Sequence, residues 1–169
     1  EAGINLALLN YYFRSKERLF EMIMMETMFG FMQSMSIVFN DDTTTLERKV
    51  ELMADKYIDL ITQEPEIPLF IMYEIRTDAT RFLEKLPIAQ MVMNSAFIKQ
   101  YQKAVLDGKI VEPNPLHFLM NLMGMVIFPF MASPMLKKIG NLKDRQFDTL
   151  MQERKKLIPV WIKAIIKAK

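Results

Sequence analysis

A chain of 169 residues, half of them hydrophobic, is long enough for one substantial domain with a real core. The absence of cysteine excludes a disulfide framework, a cysteine nucleophile and a thiolate metal site, and a single histidine, His117, excludes a multi-histidine metal site. The net charge of +2 hides an uneven layout: Lys and Arg number 9 against 15 Asp and Glu over residues 21–136, but 10 against 3 over residues 137–169.

With only 5 glycines, no low-complexity tract, no internal repeat and few strand-like alternations, the sequence reads as all-α. Asn5 to Phe13 fits a short helix with an inward stripe of Ile4, Leu9 and Phe13, which leaves Asn5, Leu6, Ala7 and Asn10 on other faces. Gly3 frees the backbone for a sharp turn before it. Ser15 suits the N-cap of a second helix, Glu17 sits in its positive first turn, and Leu19, Phe20 and Ile23 begin a new apolar stripe. Arg14, Lys16 and Arg18 place cations at this junction, suited to phosphates while the outer face of the short helix meets base edges. On spacing alone the same corner also fits an ordinary turn between two helices of any all-α protein.

The order of residue types resembles the end of the helix-turn-helix in the TetR family of one-component transcriptional repressors. Ala2, Gly3, Leu9, Tyr11, Tyr12, Phe13, Ser15, Lys16, Glu17 and Leu19 all match the family's pattern. The resemblance implies that Asn5, Leu6, Ala7, Leu8 and Asn10 face the major groove and that Tyr11, Tyr12 and Lys16 lie on or near the phosphate backbone. Leu6 and Leu8 depart from the small or polar residues usual there; they suit thymine methyl groups or internal packing. Nothing before Gly3 supplies the two earlier helices of such a DNA-binding domain, so the chain is expected to be the ordered part of a longer protein. Residues 1–20 then form the C-terminal part of that domain, and residues 21–169 a TetR-like helical ligand-binding and dimerisation domain.

Seven helices are expected in all. A long amphipathic helix from Ser15 to Phe39 stops at the loop of residues 40–45, whose last residue, Thr45, can cap a helix from Leu46 to Thr62. A break at residues 64–68 precedes a short helix from Leu69 to Glu74; a connection with Thr77, Asp78 and Thr80 leads through Arg81 to Leu86. Pro87 opens a helix to Leu106, which the Asp107-Gly108-Lys109-Ile110 turn ends. Pro113 to Pro115 start the next helix, Pro129 and Pro134 disturb it, and the last helix runs from Lys143 to Ala168. This order also resembles the body of the TetR family.

Pro113 to Leu136 carries no charged residue. That length suffices to span a bilayer. The polar His117, Asn121 and Ser133, the prolines and the amphipathic flanking helices instead favour a helix buried between a ligand cavity and a partner subunit, and no membrane partner is expected.

In the last helix Phe147, Leu150, Met151, Leu157, Ile158, Trp161, Ile162, Ile165 and Ile166 recur at three- and four-residue steps. The stripe can pack on the chain's own core; the resemblance implies a homodimer interface, here assigned to Leu150, Leu157, Trp161 and Ile165. Lys155, Lys156, Lys163 and Lys167 read as its solvated face. Two-fold pairing would set two recognition helices about 34–36 Å apart on double-stranded DNA, matching a palindromic operator.

Sixteen methionines can fill irregular space and re-pack around differing guests. The expected pocket lining is Met53, Tyr57, Phe70, Tyr73, Met93, Phe97, His117, Met120 and Met123, and the effector an apolar or aromatic small molecule. Core filling is the other reading of the same methionines. Asp55 and Asp59 share a helix face but look solvated, and there is no Gly-rich phosphate loop, so neither enzyme activity, a metal nor a cofactor is expected. The sequence as a whole points to a cytoplasmic, ligand-responsive DNA-binding regulator, a repressor released by its effector. The alternative is an all-α dimeric binding protein for hydrophobic small molecules without specific DNA binding.

Overall fold

A computed structural model of the chain describes Ala7, Tyr11 and residues 16–86 and 88–167. Among the described residues the protein is all-helical, with no strand. The helices are α1 (Lys16–Asn40), α2 (Leu46–Gln63), α3 (Ile67–Lys85), α4 (Ile88–Met93), α5 (Ala96–Leu106), α6 (Pro115–Met131), α7 (Ser133–Gly140) and α8 (Asp144–Lys167).

Local chemistry sets most of the boundaries. The Thr45 hydroxyl accepts from the Arg48 amide at 3.2 Å and opens α2, and the Asn114 side chain accepts from Leu116 at 2.9 Å beside Pro115, the first residue of α6. Gly108, at φ +68°, and Asn141, at φ 49°, take the left-handed conformation that stops α5 and α7.

Three expectations need correction. The helix expected over residues 87–106 is two, because the Ser95 hydroxyl accepts from the Ile98 amide at 3.3 Å and donates to the Val92 carbonyl at 2.6 Å, ending α4 and capping α5 at once. The short helix expected at 69–74 and the connection expected to run through 81–86 belong to a single helix, broken only at Asp78 (φ −159°, ψ 91°), whose carboxylate accepts from the Arg81 amide at 3.0 Å and restarts the helix. Pro129 lies inside α6 without ending it. Its missing N–H would orphan the Met125 carbonyl, four residues earlier, but Arg154 of α8 donates to that oxygen at 2.7 Å. The charge-free stretch then bends by 71° between α6 and α7.

The main core joins the C-terminal half of α1 to α2, α5, α6 and α8. Phe97 is at its centre, with ring centroids 5.6 Å from Phe39, 5.3 Å from Phe118 and 6.4 Å from Tyr101. A smaller cluster of Met24, Met28, Ile67, Phe70, Phe82 and Leu86 fastens the N-terminal half of α1 to α3 and the segment after it. α1 is long and apolar enough to cross a bilayer by length and composition, yet Met24, Met28, Met35, Val38 and Phe39 bury themselves in these two clusters.

α8 splits its apolar stripe. Phe147, Met151, Ile158, Ile162 and Ile166 are buried, whereas Leu150, Leu157, Trp161 and Ile165 are exposed on the single chain. The carboxylates of Asp55 and Asp59 are not simply solvated: both bind the Lys155 ammonium, Asp55 at 3.0 Å, and so tie α2 to α8. Burial pulls the Lys155 pKa down, but its hydrogen bonds to Asp59 and Asp55 outweigh this and leave it raised.

Candidate ligand cavity

Helices α1, α2, α3, α4 and α6 enclose a cavity of about 370 Å³. α1 contributes Met28, Phe31, Met32 and Phe39; α2 contributes Met53, Tyr57, Leu60 and Ile61. From α6, Leu119, Met123, Ile127 and Met131 form a row at four-residue steps, the spacing that stacks side chains along one face. Ile67, Pro68, Ile71, Met72, Ile75, Phe82 and Leu83 of α3, with Ile88, Met91 and Val92 of α4, close the remaining side. Met72, Ile75 and Leu83 are the most exposed of these, which puts the mouth on the α3 side.

No charged side chain lines the space, and Tyr57 supplies the one hydrogen-bonding side chain in it. Its ring meets Phe31 edge-on at 4.7 Å, and its hydroxyl has no hydrogen-bond partner among the described residues. Tyr57 is half-buried and lines the cavity. Burial pushes its pKa up to about 12, so the phenol stays protonated at neutral pH. Seven methionines line the cavity, giving it walls that yield to differing shapes. Such a space suits an uncharged apolar guest, since an ion there would lose its hydration without a counter-charge.

A raised phenol pKa has a definite sign. Below the ordinary value of 10.0 both folded and unfolded chains hold the proton; between there and about 12 the unfolded chain alone releases it, so folding stability falls as pH rises. Denaturant midpoints taken through that alkaline range are therefore expected to fall less steeply for Tyr57→Phe than for the natural chain; identical slopes would contradict the burial of this hydroxyl.

Of the residues expected to line a pocket, the structure brings together Met53, Tyr57 and Met123. Phe70 is instead buried in the α1–α3 cluster, its ring 6.0 Å from Phe20, and Phe97 is fully buried in the main core. His117 and Met120 fall off the cavity-facing row of α6 and are exposed, as are Tyr73 and Met93. The residues not anticipated come mainly from α1, α3 and α4; the four-residue row in α6 was the signal available for that wall.

Of the residues assigned to DNA, Ala7 and Tyr11 are helical and exposed, and Lys16 opens α1, also exposed. Asn5, Leu6, Leu8, Asn10 and Tyr12 lie outside the described residues. Compared with protein-family models and with curated proteins, the chain matches none.

Proposed function

We propose that this chain carries the sensing body and a recognition segment of a ligand-responsive transcriptional regulator of the TetR type. It acts as a homodimer on a palindromic operator and is released by an apolar small molecule. The observation that carries this reading is that α1 does two things: it follows directly on the segment resembling a recognition helix, and its Met28, Phe31, Met32 and Phe39 form one wall of the apolar cavity. A guest that repacks this wall bears on the angle at which α1 leaves the body.

The N-terminal part of α1 is held to α3 by Glu21, which accepts from the Lys85 ammonium at 2.6 Å; this hydrogen bond keeps the Glu21 pKa below the usual carboxylate value. α3 is also a cavity wall, so guest and ion pair act on the same two helices. The effector must bind the DNA-free arrangement more tightly than the DNA-bound one, because equal affinity shifts nothing. The exposed Leu150, Leu157, Trp161 and Ile165 on α8 supply an apolar face for the two-fold partner, and Arg154 lies 5.1 Å over the Trp161 ring.

Selection of duplexes from a random pool by the full-length protein tests this. Expected is enrichment of a two-fold symmetric sequence, binding that weakens steeply between about 50 and 200 mM salt, and release by a neutral aromatic compound. Ligand binding without enrichment of any sequence would remove the regulator and leave a carrier of hydrophobic molecules.

A further inference from the structure

We infer that the natural occupant of the cavity is a neutral, compact ring compound carrying one hydrogen-bond acceptor, which the Tyr57 hydroxyl of α2 engages. This names the ligand class for the cavity treated above as the sensing site, and it rests on that reading only for its biological consequence.

Four observations combine. Charge is absent from the lining, so a carboxylate or ammonium entering it would be stripped of water and left unpaired. Size is the second: about 370 Å³ lies near the lower end of the roughly 300–1,000 Å³ typical of small-molecule sites, which favours a compact ring system over a long chain. Third, the walls are thioether, aliphatic and aromatic, good partners for flat apolar faces.

The fourth is Tyr57 itself. It is the one lining residue with a hydrogen-bonding side chain, its hydroxyl has no protein partner among the described residues, and it keeps its proton. Tyr57 is half-buried in an apolar wall, and a hydroxyl donor that a guest covers without offering an acceptor loses its water at a cost, whereas a free lone pair on the same oxygen costs less. The group it lacks is therefore an acceptor, such as a ketone, ether or ester oxygen. An apolar guest without one would fill the volume but leave this hydroxyl unsatisfied.

Three compounds with the same pair of phenyl rings separate the terms: benzophenone, diphenylmethane and diphenylacetate. Equilibrium dialysis against the full chain is expected to show benzophenone retained about tenfold more tightly than diphenylmethane, and diphenylacetate at least about tenfold more weakly than either. In Tyr57→Phe the advantage of benzophenone should vanish while diphenylmethane is unchanged. A second variant, Met123→Phe, fills space on the α6 wall and should weaken both neutral compounds with helical content intact.

Diphenylacetate bound as tightly as benzophenone, an undiminished ketone preference in Tyr57→Phe, undiminished affinity in Met123→Phe, or failure of all three compounds to bind would each overturn the inference. Selective binding of benzophenone by a protein that retains no DNA sequence would uphold the ligand class and defeat only the regulator.

Discussion

Phe97→Ala is expected to cost about 3–5 kcal/mol of folding stability, the range for deleting a buried aromatic ring from a well-packed core. Phe97 has no exposed surface, and its ring stands against Phe39 of α1, Phe118 of α6 and Tyr101 of its own helix. Its removal leaves a void shared by three helices that cannot all move inward at once. α5 also has little else to hold it, for it is an 11-residue helix whose other buried residues are Ala96, Ile98 and Tyr101. The measurement is urea denaturation followed by circular dichroism, compared at equal denaturant slope. Phe97→Leu should cost clearly less, since it keeps most of the volume. Because the ring is outside the cavity lining, Phe97→Leu should also leave the ratio of ketone to hydrocarbon affinity as it is. A loss below about 1 kcal/mol for the alanine variant would mean that the ring is not enclosed.

The contrast between Phe97 and Phe31 shows where sequence reasoning stops. Both are aromatic residues directed inward from their helices, Phe97 into the filled core and Phe31 into the cavity wall. Whether inward means a filled core or an open cavity depends on how far the facing helices stand apart, which no single helix encodes. The helical class, the long α1, the Thr45 cap and the Asn114-Pro115 start are short-range features, and these were legible. The breaks at Ser95 and Asp78 were harder, because each lies inside a stretch that propensity alone would carry through as helix or leave as a loop. The side-chain hydrogen bond that decides each is visible only once the backbone has turned.

Charge shows the same limit. Asp55, Asp59 and Lys155 each look like ordinary solvated residues of an amphipathic helix, and only the packing of α2 on α8 makes them one ion-pair cluster. Arg154 is a parallel case. Pro129 announces in the sequence that a carbonyl four residues earlier will lack its partner, but not that a donor from α8 will supply it. The cavity fell between these limits: its methionine-rich chemistry was readable, and Met53, Tyr57 and Met123 were named, while on α3 and α4 the residues named, Phe70, Tyr73 and Met93, are not the ones that face it.

Lys49 carries the second large effect. It is a fully buried lysine in the first turn of α2, near the positive end of that helix, where a cation is intrinsically unfavourable. Its ammonium reaches back into the loop after α1, donating to the Asp41 carbonyl, to the Thr44 carbonyl at 3.1 Å and to the Thr44 hydroxyl at 2.8 Å. Gln100 of α5 donates to the same Thr44 carbonyl at 3.0 Å, so one loop residue gathers side chains from two helices. Lys49→Met preserves the buried stem and removes the three donated bonds. It is expected to cost about 1.5–3 kcal/mol, the range for hydrogen bonds to a charged group, with the Gln100 bond holding the total near the lower end. Lys49→Glu should be far worse, since it sets an unpaired anion against the oxygens that bound the ammonium; about 3–5 kcal/mol or more is expected, enough to unfold a marginal domain. Urea midpoints for the two variants separate the contributions, because methionine tests the bonds and glutamate tests the enclosure. Equal, small losses in both would place the Lys49 side chain in water and detach the α1–α2 loop from the core.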